Sequence, residues 1–576
     1  MNRIRLRALA LAVVGGLAAF ACGNSSGGTT EQLAGTQTLN FAIQDDVQYL
    51  DPGHASSAVD ITFIQEVFSG LYRFDNDNKI IPDLATGMPD VSADGKTYTF
   101  HLNKNAKFSN GDPVTSKDVV YSWNRGAYLN DSYATNLQPI VGWDDTSSNK
   151  TTTMSGLSAP DNETVKAQLS SPAGWWLSAL ALPGTAGWIV DQNVIGDYAD
   201  PKNQKNDTWW TVPATLIGSG PFMMTQRTPK ASMDYAPVKN WWGGSTGALT
   251  KIHTDVGPDA VAQVKKLEAG GYDLVGMAND PPASADVLRY QGDPTKKKLL
   301  TIWPGARSTW LGFNETTGPF APKVGGVTPG QPVFTGGTDA GLAGRDSFSK
   351  AIDRSQLIDV ACVKGTTCAS ATGGVIAKGL KGYLGDGADP SAKFDAAAAK
   401  SEYQKWDPDG SKVKGLQLDY NASNVNDTLW GNVQSQLQAN LGVKVALNPM
   451  DFPTLISTRN AKQAILFRDS WGADYDNPQD WFDNLFTCAP AQAGRGNSAG
   501  YCNPAVDKLV TQADTSQNQS TAVSLYEQAQ KLMIKSSVTG NLEYGTQPYI
   551  VQTYVKGAGY TGLFDYRWEG IRILKH

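Results

Sequence analysis

Arg468, Trp471 and Asp474 stand at equal intervals in the run Ile465-Leu-Phe-Arg-Asp-Ser-Trp-Gly-Ala-Asp-Tyr-Asp-Asn-Pro478. The apolar residues Ala464 to Phe467 read as a buried strand, and a cation and an anion follow it around an aromatic ring. A short peptide in water is a zwitterion. A site that grips both its ends needs a fixed acid for the ammonium and a fixed base for the carboxylate. Each charge-assisted hydrogen bond contributes about 1.5–3 kcal/mol net. A buried charge left alone is costly, so such a site rejects neutral-ended ligands. The same residues admit plainer roles. Asp474 could cap a turn, since Asp474-Tyr-Asp-Asn-Pro478 is turn-prone. Arg468 could pair with its neighbour Asp469. Trp471 could be a pocket wall or a direct contact.

The elements before this run read as an α/β unit. Strands at Gly415–Tyr420, Val443–Leu447 and Ala464–Phe467 alternate with helices at Thr428–Ala439 and Phe452–Arg459. That order predicts a parallel sheet, whose ligands bind beyond the carboxyl ends of strands. Arg468 to Asp474 lie beyond such an end. Upstream, Thr38–Ile43 predicts a strand and Ile61–Leu71 a helix. Residues 75 to about 210 read as an α+β insertion of short strands, with Thr115-Ser-Lys-Asp118 as a capping box opening a helix. Pro221–Gln226 and Ala231–Pro237 predict a hairpin. Leu299–Trp303 and Thr309–Phe313 read as two further strands, Arg345–Val360 as one helix, and Ser520–Ser536 as a long helix before closing strands at Glu543–Tyr554.

The N-terminus reads as an export signal over residues 1–21: Arg3, Arg5 and Arg7 precede an uncharged, mostly apolar run from Ala8 to Phe20. That run is shorter than the ~20 residues that span a bilayer. Ala19 and Ala21 precede Cys22 in a pattern that resembles a bacterial lipobox, which implies a lipidated cysteine. Residues 22–37 are polar and read as a disordered tether reaching about 20–25 Å. Beyond it the chain has room for two or three domains. The net charge of −6 argues against nucleic-acid binding. Besides Cys22, four cysteines remain, an even number that predicts two disulfides in an exported chain. Pairing Cys362 with Cys368 and Cys488 with Cys502 closes two local loops and is the best of three connectivities. No histidine lies near these cysteines to suggest a zinc site.

Several ordered runs carry a resemblance. Leu50-Asp-Pro52 is followed by Glu66-Val-Phe-Ser-Gly-Leu-Tyr72, Pro82-Asp-Leu-Ala85 and Asp94-Gly-Lys-Thr-Tyr-Thr-Phe-His-Leu102. Phe108-Ser-Asn-Gly-Asp-Pro113, Gly218-Ser-Gly-Pro-Phe222, Asn240-Trp-Trp242 and Ala351-Ile-Asp-Arg354 come next. Trp471-Gly-Ala-Asp-Tyr475 and Tyr501-Cys-Asn-Pro-Ala-Val-Asp507 complete the set. From Thr38 to its end the chain resembles solute-binding protein family 5, the dipeptide- and oligopeptide-binding lipoproteins of ABC importers. The resemblance implies an α/β, two-lobed periplasmic-binding-protein-like clamshell (type II) with an additional small α+β domain. Lobe I would join residues 38–70, 216–300 and 545–576, the extra domain would be 71–215, and lobe II 301–544. The family's acid for the peptide ammonium falls on Asp474, and the arginine that some members use for the carboxylate falls on Arg468. Ser56 and Ala58 lie where members offer backbone to an extended peptide. The implied partners are a short peptide, ABC-transporter permease subunits and the membrane, reached through lipidated Cys22 on the outer face of the cell membrane. A monomer without cofactors is expected.

Other classes meet specific obstacles. An oligosaccharide, a metal chelate or haem could occupy the same clamshell, but the charges at Asp474 and Arg468 favour a zwitterion over a neutral sugar. The four histidines, His54, His101, His253 and His576, are scattered. Gly496-Asn-Ser-Ala-Gly500 matches the hydrolase pattern G-x-S-x-G, yet sits in a polar loop between Cys488 and Cys502 instead of on a strand–turn–helix elbow. No G-x-x-x-x-G-K-[ST] run for nucleotide occurs. The expectation is a binding protein and not an enzyme.

Overall fold

The computed structural model describes residues 31–576, apart from Ser56, 185–186, 204, 324–325, 327, 329–338 and 494–495. The signal over 1–21, Cys22 and Ser56 lie outside the described residues.

Strands β1 (Thr38–Ile43), β2 (Phe222–Thr228), β3 (Ser232–Pro237) and β4 (Lys251–Val256) form one sheet in the order β1-β4-β3-β2. β1 runs parallel to β4, and the expected hairpin is β2 with β3. Alternation along β1 buries Leu39, Phe41 and Ile43 against α1 (Ala58–Val67), with Trp568 at the centre of an aromatic cluster. Ser57 caps α1 by accepting from the Asp60 N–H.

The second sheet holds β5 (Leu274–Val275), β6 (Leu300–Phe313), β7 (Cys368–Ser370), β8 (Gln417–Asn421), β9 (Ala446–Met450), β10 (Leu466–Gly472) and β11 (Thr539–Val551). Its order is β5-β11-β6-β10-β8-β9, with β7 also on β11. β8 is parallel to both β9 and β10, as the strand–helix alternation predicts. Two expectations need correction. Leu299–Trp303 and Thr309–Phe313 are not separate strands: β6 is continuous, with its register on β11 shifting between Pro304 and Ser308. Pro304 and Gly305 interrupt the apolar pattern without ending the strand, as a bulge does. Arg345–Val360 is not one helix but two, Leu342–Lys350 and Arg354–Ala361, the second capped by Asp353.

β6 and β11 pair over nearly their whole length, from Leu300 opposite Ile550, beside β5, to Gly312 opposite Thr539, beside β10. They are the strands shared by both halves of the molecule. The insertion carries its own four-stranded sheet and α2 (Ser116–Leu129), opened by the Thr115 N–H donating to Asp118. It leans on the far half: Trp175 stacks on Tyr475 at 6.3 Å, and the Gly174 N–H donates to the Asp514 carbonyl at 2.6 Å. The architecture is the two-lobed α/β clamshell with a small α+β unit. Disulfides join Cys362 to Cys368 and Cys488 to Cys502.

Candidate functional site

A cleft of about 1480 Å³ runs between α1 with the segment Asn279–Ser284 on one side and β6, β10 and β11 on the other. It deepens into a recess of about 550 Å³ floored by Ile61, Thr62, Gln65 and Asp565. Ala58 and Asp474 line both spaces, so the structure brings these two sequence-derived candidates together. Ala58 arrives on the first turn of α1. Asp474 arrives just past β10, where the Ala473 N–H still donates to the Ala306 carbonyl of β6 at 3.0 Å.

Asp474 is half-buried, and no basic side chain pairs with it among the described residues. Burial pushes its carboxyl up to about 6. Its backbone is fixed by Asp480, on the helix α3 (Gln479–Leu485). One Asp480 oxygen accepts from the Asp474 N–H at 2.9 Å and from Trp471 Nε1 at 3.0 Å. Asp480 is fully buried, and burial, then the charge of Asp474, push its carboxyl well above the ordinary range. At neutral pH the outer acid therefore carries the negative charge, while burial favours the neutral form of the inner one. Trp471 thus orients the acid loop, and its ring packs on the core that includes Tyr475 and Trp481. It does not line the cleft.

Arg468 stands apart from this group. It faces Leu311 across the β10–β6 ladder, and alternation places it on one sheet face with Leu466, Ser470 and Gly472, opposite to Trp471. It is half-buried, does not line the cleft, and its Nε is buried without a hydrogen-bond partner. Burial lowers its pKa to about 10, against the pull of Asp469. Asp469 is engaged elsewhere, by Arg459 at 2.5 Å.

Three residues of the site escaped sequence reasoning. Tyr133, from the insertion, and Asn279 line both cleft and recess. Arg307 lines the cleft from the bulge of β6, its side chain 53% exposed and its Nη2 3.6 Å from Glu543 Oε1. It fell in the gap between the two strands read from sequence. The fragment Gly496–Gly500 lies in the loop closed by Cys488 and Cys502, with Ser498 buried and Lys462 Nζ donating to the Asn497 carbonyl.

Comparison with known proteins follows the same geometry. The family model for bacterial extracellular solute-binding proteins, family 5 Middle, matches residues 79–493. The periplasmic murein peptide-binding protein MppA of Escherichia coli (strain K12) is 26% identical over 542 residues, covering 91% of each chain. The oligopeptide-binding protein OppA of Bacillus subtilis (strain 168) is 25% identical over 561 residues, covering 93% of each. Among solved structures, the unliganded open form of the MppA murein tripeptide-binding protein superposes with a TM-score of 0.78. It is 24% identical and covers 95% of this chain and 99% of that one. Haemophilus influenzae OppA in complex with RPPGFSPFR gives a TM-score of 0.66 at 19% identity, covering 94% of this chain and 100% of that one. The chain belongs to the bacterial extracellular solute-binding proteins, family 5.

Proposed function

We propose that this protein captures short peptides between its lobes outside the cytoplasm and hands them to the permease of an ABC importer. The observation that carries the reading is Asp474: a carboxylate in the cleft wall, ionised at neutral pH, with no basic partner of its own among the described residues. A ligand ammonium is the group that chemistry demands. The names of the relatives point the same way, since murein peptide and oligopeptide binding are what two of them are named for. Ala58, on the facing wall, lends backbone to an extended peptide. Lobe I would comprise 38–70, 216–300 and 545–576, the extra domain 71–215 and lobe II 301–544. β6 and β11 would flex as the hinge. Lipidated Cys22 would hold the protein, as a monomer, on the outer face of the cell membrane. Arg468, six residues before Asp474, would receive the carboxylate of longer peptides.

The test is titration calorimetry with a peptide library on the wild type and on Asp474→Asn. The substitution should weaken binding about tenfold or more, the loss of one charged hydrogen bond. Unchanged affinity would remove amine recognition from this site.

A further inference from the structure

We propose that Arg307, on the bulge of β6, holds the carboxylate of peptides about three residues long whose ammonium sits at Asp474; this rests on the peptide reading above. Three observations carry it. Arg307 and Asp474 line the same cleft, and Arg307 is the arginine among its lining residues. The bulge is what delivers it: Pro304 faces Thr546 and Ser308 faces Tyr544, so Gly305, Ala306 and Arg307 together oppose Gly545. A bulge beside a site re-aims side chains in this way. Gly545 and Gly472, its flanking neighbours on β11 and β10, bear no side chain, so neither covers the guanidinium, and the β11 side chain that approaches it is Glu543 at 3.6 Å.

The geometry also sets a length. Arg307 is directly opposite Gly472, and Asp474 is two residues further along. Two strand rises and one strand spacing separate their Cα atoms by about 8 Å, to which the side chains add their reach. An extended tripeptide spans about 10 Å.

Arg307 has a structural duty as well. Glu543 is 3% exposed, one of its oxygens is buried without a hydrogen-bond partner, and Arg307 is its nearest cation at 3.6 Å. A guanidinium has five N–H donors, so one arginine can serve Glu543 and a ligand together. The experiment separates these duties by changing the ligand as well as the protein. Wild type and Arg307→Gln are titrated with a random tripeptide library and with the same library amidated at its C-terminus. Arg307→Gln should weaken the free acids about tenfold and leave the amides unchanged. Arg307→Lys should restore part of the loss. Equal losses for acids and amides, or none for the acids, would overturn the proposal. Should Arg307→Gln fail to fold, Arg307→Gln with Glu543→Gln removes both charges and should show the same selectivity. A wild type that binds no peptide sinks the peptide reading and this inference together. A wild type that binds peptides and is sensitive to Asp474→Asn, but indifferent to Arg307→Gln, sinks only the inference.

Discussion

At the scale of the residue, two neighbouring aspartates divide one task. Asp480 is buried and spends its oxygen on two N–H donors; Asp474 faces the cleft with its charge available. Proton and ligand ammonium compete for Asp474, whose carboxyl lies near 6 before ligand binds. Above that value the carboxylate is charged and binding is at full strength. As pH falls through it, affinity should fall by up to tenfold per unit. Calorimetry from pH 4.5 to 7.5 should show that midpoint, and Asp474→Asn should be flat across the range. Asp480→Asn should leave the midpoint near 6, because burial favours the neutral form of the inner acid and its amide replacement still accepts both N–H groups. A midpoint displaced by this substitution would show that Asp480 carries charge.

At the scale of the element, the runs that revealed the family also have mechanical reasons. Gly218-Ser-Gly-Pro-Phe222 crosses the end of α1 so closely that the Gly220 N–H donates to the Val67 carbonyl at 2.8 Å. A Cβ on Gly220 would meet the Glu66 carbonyl oxygen at 2.4 Å and the Val67 carbonyl carbon at 2.6 Å. Backbone atoms in a packed core cannot yield cheaply. Gly220→Ala should therefore cost about 1–3 kcal/mol, the range for overpacking, read as a lower urea midpoint at unchanged slope. The same scale shows where sequence reading stops. The βαβ unit around β8, β9 and β10 was legible because each element carries its own period and length. β6 was not, because Pro304 and Gly305 read locally as a break, while the pairing that carries the strand through them comes from β11, more than two hundred residues away. Arg307 was lost with that gap.

At the scale of the whole molecule, the cleft lies between bodies joined by β6 and β11, and the insertion reaches across to stack Trp175 on Tyr475. Peptide captured between the lobes should favour closure. Small-angle scattering should show the radius of gyration falling on addition of a free peptide. The same peptide acetylated at its amine should have no such effect at equal concentration, since it cannot pair with Asp474. Free peptide at a hundred times its Kd should also add about 2.7 kcal/mol to stability by mass action.

The amino-acid sequence by itself determined the class of fold and the family, favoured among three connectivities the disulfide pairing that the structure shows, and put an acid, Asp474, beyond the end of an expected strand. Each of these is written in local period, in ordered short runs or in a single chemistry-bearing residue. It could not say that Arg468 and Trp471 lie on opposite faces of their strand, because face depends on pairing register with β6. Nor could it show that Asp480 steadies Asp474 or that Arg307 enters the cleft. Those facts belong to contacts between segments far apart in the chain, and only packing decides which distant groups share a wall, which charges are buried and which remain free to meet a ligand.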